Sequence, residues 1–238
     1  MGEAIFKQKC GMVAVNIVAS CGVMTPDQMA GLARLAEECG VFRFKMTSRQ
    51  TLVAVLAEDK AEQLVSALPG LGLRLSPYGN VVRAVKACAG NSSLCPRSVG
   101  EALDLGMEIQ DKYLGMETPK DFKIAVAGCA RGCTDPYCAD LGVVASGREV
   151  FDVAIGGLGG SARPLHGKIA ARRIGREDVF LLIDNVLERF KALGQPGEKL
   201  GRAITRLGLE PFLPPDSIKE KEIKPPEDFA NFLGIGKE

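Results

Sequence analysis

The stretch Gly128-Cys129-Ala130-Arg131-Gly132-Cys133-Thr134-Asp135-Pro136-Tyr137-Cys138 follows an apolar run, Ile124 to Ala127, and sets three cysteines in one glycine-punctuated turn. An apolar run of that length reads as a strand, and small residues after it let the backbone curl. Cys129 and Cys133, three residues apart, can point at one soft inorganic centre, as thiolates do around iron–sulfur clusters. A second pair, Cys88 and Cys95, lies upstream. The spacing therefore predicts one four-cysteine site assembled from two distant loops.

The chain has 238 residues, enough for one large or two small domains with real cores, and its apolar and charged fractions are ordinary for a globular protein. Thirty basic residues nearly cancel twenty-nine acidic ones, so no global charge draws the chain to nucleic acid or an anionic membrane. Any anion site must be local. No apolar run approaches the roughly 20 residues needed to span a bilayer, and the N-terminus has no signal-peptide h-region, so the expected location is cytoplasmic. Eight cysteines in such a chain point to metal or cluster chemistry, since a reducing cytosol keeps ordinary thiols free of disulfides.

Working outward from the loop, Thr25-Pro26-Asp27 opens a helix that runs to about Cys39 and stops at Gly40. Val41 to Met46 alternates apolar and basic residues as a half-exposed strand does, and Thr51 to Ala57 is a second strand. With Met12 to Val18 before them, a helix over 59–68 and a strand over 71–75 behind, the order is that of a ferredoxin-like split βαβ unit. A strand over 81–87 then leads into the first cysteine loop. Pro96 opens a predicted amphipathic helix over 96–114, whose free N–H groups would face the thiolates. Strands are expected at 123–127, 141–145 and 149–155, and helices at 177–193 and 198–207. The fold class is α+β: a ferredoxin-like half-domain at residues 1–76, an α/β domain at 77–210 carrying the cysteines, and an extended tail at 211–238.

The four-cysteine site admits an iron–sulfur cluster or zinc. Structural zinc uses close pairs on both halves, and six residues between Cys88 and Cys95 fit that poorly. Cys10, Cys21 and Cys39 read as small hydrophobes and Cys138 as a packed free thiol. Gly157-x-Gly159-x-x-Ala162 imitates a dinucleotide fingerprint, but Pro164 and Gly167 argue against the helix that such a loop must open. His166 is the single histidine, so a histidine metal site within the chain is excluded. Arg43, Lys45, Arg49, Arg83, Lys120, Lys123, Arg131 and Arg163 fall on strands and loops that would ring the site once Cys88 meets Cys129, as a polyanionic ligand would require.

Cys88-x6-Cys95-Pro96 and Val126-Ala-Gly-Cys129-x-x-Gly-Cys133, preceded by Phe42-Arg43-Phe44-Lys45-Met46-Thr47-Ser48-Arg49-Gln50-Thr51, resemble the sirohaem and [4Fe–4S] nitrite/sulfite reductase family. The resemblance covers nearly the whole chain and implies that the second domain binds sirohaem and a [4Fe–4S] cluster. It implies that Cys88, Cys95 and Cys129 hold the cluster and that Cys133 bridges it to the sirohaem iron. Arg43, Thr47, Arg49 and Gln50 match the family's cofactor-gripping segment, with Lys45, Arg131, Gly132 and Arg163 as further cofactor contacts. Arg83, Lys120 and Lys123 match the residues presented to the bound anion. The implied activity is reduction of sulfite to sulfide, or of nitrite, fed by a separate electron-donor protein, with a sirohaem-binding carrier as the alternative. Larger members carry two tandem copies where this chain has one, so an isologous homodimer could rebuild the pair. The strand Met12 to Ser20 lacks the family's anion-binding arginine, offering Asn16 and Val18, and Asp121 stands where a further base is common.

Overall fold

The computed structural model describes residues 4–215 and 217–221. The first unit runs β1 (Ile5–Lys7), β2 (Val13–Val18), α1 (Pro26–Glu38), β3 (Arg43–Met46), β4 (Leu52–Leu56), α2 (Ala61–Ala67) and β5 (Arg74–Leu75). Its antiparallel sheet has the order β1-β2-β4-β3, and β5 pairs the end of β2 that β1 leaves free. From β2 onward this is the β-α-β-β-α-β order expected. β1 is an addition, too short at three residues to give a period.

Alternation divides the sheet chemically. Val13, Val15 and Ile17 on β2 and Leu52, Ala54 and Leu56 on β4 pack beneath α1 with Leu32 and Leu35. Thr25 caps α1 by accepting from the Gln28 N–H at 3.1 Å, while the Gln28 side chain accepts from the Thr25 N–H at 2.9 Å. The registers Asn16↔Val53↔Lys45 and Ala14↔Val55↔Arg43 put Asn16, Lys45 and Arg43 on the other face.

The second unit runs β6 (Lys86–Ala87), α3 (Ala102–Tyr113), β7 (Ile124–Ala127), β8 (Leu141–Gly147), β9 (Val150–Ile155), β10 (Lys168–Gly175), α4 (Arg176–Leu193) and α5 (Leu200–Leu207). Its sheet order is β10-β9-β8-β7-β6, with β6, β7 and β8 parallel and the remainder antiparallel. Ile109, Phe122, Phe151, Val186 and Phe190 are among the fully buried side chains of its core.

Two sequence expectations are corrected, and one strand, β10, escapes the sequence reading. The strand read over 81–87 is a ladder only at Lys86 and Ala87: Val81 and Val82 make isolated bridges to Glu117 and Phe122, and between these and the ladder side chains intervene, Gln110 Oε1 accepting from the Val85 N–H at 3.1 Å and Arg49 donating to the Ala84 carbonyl at 2.8 Å. The helix read from Pro96 begins at Ala102, because residues 98–100 wrap the Gly128 backbone, Val99 N–H donating to the Gly128 carbonyl at 2.8 Å. β10 carries Arg172 and Arg173 in mid-strand and shifts register twice, so its sequence shows no clean alternation. Of the tail read from residue 211, Phe212 and Ile218 pack on the second core and Lys221 N–H donates to the Arg173 carbonyl at 2.9 Å; residues 222–238 lie outside the described residues. Among the described residues no helix is long and apolar enough to cross a membrane.

Candidate functional site

β6 and β7 are adjacent and parallel, with Ala87 level with Val126, so the two cysteine loops leave the sheet side by side at its carboxyl edge. Open α/β sheets place ligands at that edge. Cys88 N–H donates to the Val126 carbonyl at 3.1 Å, and Gly128 N–H donates to Cys88 Sγ at 3.2 Å. At the closest approach the loops meet glycine to glycine: a Cβ on Gly90 would lie 2.8 Å from both Cys88 Sγ and Gly128 Cα. Cys95 is brought in by the turn from Asn91, and Ser98, whose N–H donates to the Cys95 carbonyl at 3.0 Å, sends its hydroxyl to the carbonyls of Gly100 at 2.7 Å and Gly128 at 3.2 Å.

Cys133 lies on the next turn of the same loop, where Gly132 adopts φ +60° and its N–H donates to the Cys129 carbonyl at 3.2 Å. Thr134 anchors that turn to the Val126 carbonyl at 2.9 Å, and the Lys86 ammonium meets Asp135 at 3.2 Å. Cys133 is exposed, and Cys88, Cys95 and Cys129 are half-buried; all four are free thiols. Among the described residues no three Cys, His, Asp or Glu side chains converge on a single ion. Thiolates on one zinc would be drawn to within about 4 Å of each other by Zn–S bonds of ~2.3 Å. The four-thiol set is the donor chemistry of a larger sulfur-bridged cluster, and the Gly128 N–H on Cys88 sulfur is the kind of bond that tunes its potential. The expected open helix end is corrected: the Ala102 and Leu103 N–H groups of α3 both donate to the Gly90 carbonyl, at 2.7 and 3.2 Å, and so stabilise the loop instead of facing a thiolate.

The glycine loop after β9 backs the cysteine turn. Gly159 N–H donates to the Cys138 carbonyl at 3.0 Å and Gly167 N–H to that of Tyr137 at 2.8 Å. A Cβ on Gly157 would strike the carbonyls of Tyr137 and Ala139, and the His166 ring stacks on Tyr137 at 4.8 Å. Close packing, not a nucleotide, accounts for these glycines.

The basic residues divide into groups. Arg43 and Lys45 are exposed on the Asn16 face of the first sheet. Arg49 and Gln50 bridge the two units: Arg49 donates to the carbonyls of Ala84 and Ile124 at 2.8 and 3.1 Å, and Gln50 exchanges two hydrogen bonds with the Ala87 backbone. Burial, and then the like charge of Arg83, pulls the Arg49 pKa down to about 10, still protonated at neutral pH. Arg83 is lowered chiefly by burial, against the opposing pull of Asp121, and its guanidinium lies 4.2 Å from the Tyr78 ring centroid. Arg49, Arg83, Thr47, Thr51, Asn16 and Ser76 line one polar cavity of about 160 Å³. Within the described structure, Asn16 Oδ1, Ser76 Oγ and Arg83 Nε are buried there without a hydrogen-bond partner. A larger cavity of about 550 Å³, lined by Ile17, Leu32, Phe44 and Met46, is apolar and lies on the α1 side of the sheet.

Lys123 and Lys120 flank the same region. Lys123 Nζ is 3.7 Å from Asp121, and the Lys123 N–H donates to Asp140 at 2.9 Å. Lys120 is half-buried, its carbonyl accepting from the Thr118 hydroxyl at 2.8 Å. Arg131 is exposed on the cysteine turn; Arg163 is exposed on the glycine loop, its carbonyl accepting from Arg202 at 2.9 Å. Sequence reasoning missed Lys86, Gln110, Ser76, Asp140 and Lys199. Asp140 had a signal, an acid between the cysteine turn and an apolar strand, whereas Lys199, far along the chain, had none. Thiols on converging loops, and buried cationic, amide and hydroxyl groups left unpartnered in a cavity at the segment leading into the first loop, fit a cluster together with an anionic prosthetic group.

Residues 78–215 match the model of the nitrite and sulphite reductase 4Fe-4S domain, and residues 6–69 that of the nitrite/sulfite reductase ferredoxin-like half domain. The chain is 29% identical over 182 residues, 76% of its length, to the nitrite reductase (NADH) large subunit of Escherichia coli strain K12. It spans 21% of that relative, and a similarly small part of the next curated relatives it matches. An assimilatory-type sulfite reductase of Nitratidesulfovibrio vulgaris is 25% identical over 194 residues, covering 80% of this chain and 85% of that one. The crystal structure of dissimilatory sulfite reductase I superposes with a TM-score of 0.75 at 14% identity over 90% of this chain and 72% of that one, a likeness of fold.

Proposed function

The chain belongs to the nitrite and sulphite reductase family, whose cofactors are sirohaem and a [4Fe–4S] cluster, and on that premise we propose that it reduces sulfite to sulfide, with nitrite as the alternative substrate. The observation that carries the proposal is the meeting of the two cysteine loops at the Gly90–Gly128 contact, together with a cavity lined by Arg49, Arg83 and Ala84 on the segment that leads into the first loop. Cys88, Cys95 and Cys129 would hold the cluster, and the exposed Cys133 would be the thiolate shared between it and the sirohaem. When bound, the paired cofactors supply electrons singly and an open iron face for the anion.

The protein's own part is charge and position. Arg43 and Lys45 offer cations to the carboxylates of the tetrapyrrole from the Asn16 face, with Arg131 and Arg163 approaching from the cysteine and glycine loops. Gly132 lets the turn present Cys133. Thr47, Arg49 and Gln50 hold the β3–β4 turn against the second unit, which sets the floor of the site. Arg83 and Lys123, with Lys120 at their flank, neutralise the anion and place N–H protons where its oxygens leave as water. Electrons come from a separate donor protein.

Steady-state assays with a reduced chemical donor test this reading. Fully cofactor-loaded protein is expected to turn over sulfite, with nitrite compared alongside; negligible turnover of both by loaded protein would overturn the reductase reading in favour of a sirohaem carrier.

A further inference from the structure

Lys199, at the start of α5, is far from the cysteine loops in sequence, yet its ammonium is almost enclosed, the side chain being 13% exposed. It donates to Asp140 Oδ2 at 2.7 Å and to the Asp121 carbonyl, and stands 3.4 Å from Asp121 Oδ2. Asp140 is wholly buried, and burial pushes its carboxyl up against the opposing pull of Lys199 and of the Lys123 N–H. The same Oδ2 that receives Lys199 receives the Lys123 N–H. Asp121 Oδ2 in turn lies 3.7 Å from Lys123 Nζ, and its charge is felt at both Arg83 and Arg49. Charges therefore alternate along one path from the core to the anion side: Asp140, Lys199, Asp121, Lys123.

We propose that Lys199 is a positioning residue for anion binding: by occupying Asp121, it stops that carboxylate from acting as the full counter-ion of Lys123 and Arg83. Resting on the anion-reductase reading, the inference gives Lys199 and Asp121 a role that neither the family match nor the cysteine pattern assigns. Asp121 intrudes a negative charge between cations that must meet an anion. Lys199 cancels it from behind, in a buried place where the interaction is little screened by solvent. The path also fixes the Lys123 backbone, because both ends of the chain of charges close on Asp140.

Opposite outcomes separate this role from simple structural support. Holo-protein variants are titrated with sulfite, and binding is read from the shift of the tetrapyrrole absorption, with the unperturbed bands reporting cofactor loading. Lys199→Met is expected to weaken sulfite binding by about tenfold, by leaving Asp121 free to pair with Lys123. Asp121→Asn is expected to tighten it, and with Asp121 gone Lys199→Met is expected to cost far less than tenfold, so that the double variant binds at least as well as the parent, a coupling that two independent effects do not produce. If Lys199→Met loads cofactor but binds sulfite like the parent, or if Lys199→Met costs as much in the Asp121→Asn background as in the parent, the inference fails while the reductase reading stands. If the loaded parent protein binds no sulfite or nitrite, the reading itself fails and the inference with it. Should Lys199→Met not load cofactor, the comparison of Asp121→Asn with the parent decides: unchanged or weaker binding overturns the proposal.

Discussion

At the scale of single residues, the eight cysteines of this chain divide by environment. Cys21 sits in the second core, and burial, with Asp111 adding to it, pushes its thiol up to about 12. Its thiolate fraction at pH 8 is then only about one in ten thousand, so alkylation of cofactor-free native protein is expected to label the exposed Cys133 and Cys138, and Cys10, which the structure exposes against the sequence reading, and to spare Cys21 until denaturant is added. Mass mapping of the labelled peptides checks this. The glycines at the loop contact are as decisive as the thiols. A methyl group on Gly90 meets the backbone of Gly128 and Cys88 sulfur at once, so Gly90→Ala is expected to lose most of its iron and acid-labile sulfide while keeping far-UV circular dichroism. The cysteine spacing was legible because thiolate ligands have no substitute. The close approach of Gly90 was not, because a glycine in a loop looks the same whether it is turning or making room.

Secondary elements were legible where their signals were local. α1 announces itself by Thr25 and Pro26, and the structure completes that cap with Gln28; Thr25→Ala is expected to lower stability by about 1 kcal/mol in a denaturant melt without touching the site. The start of α3 was misread because Pro96 is as suitable for the turn around Gly128 as for a first helical turn, and only the long-range bond from Val99 decides between them. The same cause shortened β6, where Arg49 and Gln110 replace a neighbouring strand as partners of Ala84 and Val85. Those bonds join elements that local sequence cannot relate.

For the whole molecule, two sheets are joined at the site by few side chains, and Arg49 is the chief of them. Arg49→Met would leave the buried Ala84 and Ile124 carbonyls unsatisfied and is expected to cost about 2–3 kcal/mol, with a loss of sirohaem greater than the loss of cluster, measured by thermal melting and by the iron-to-tetrapyrrole ratio. The ferredoxin-like order and the two-unit organisation could be read from periodicity, and the cofactor pair through the family resemblance that the cysteine motifs carry. The charge path through Lys199 could not, since it exists only once α5 folds back on the cysteine-bearing sheet. The central claim is that the converging loops hold a cluster and that Cys133 couples it to sirohaem. Electron paramagnetic resonance of anaerobically purified protein, with tetrapyrrole, iron and acid-labile sulfide assayed on the same sample, tests this most directly. The account predicts haem and cluster signals that perturb each other in the parent protein and become independent in Cys133→Ser but not in Cys138→Ser. Zinc in place of iron and sulfide, or coupling that survives Cys133→Ser, would contradict it.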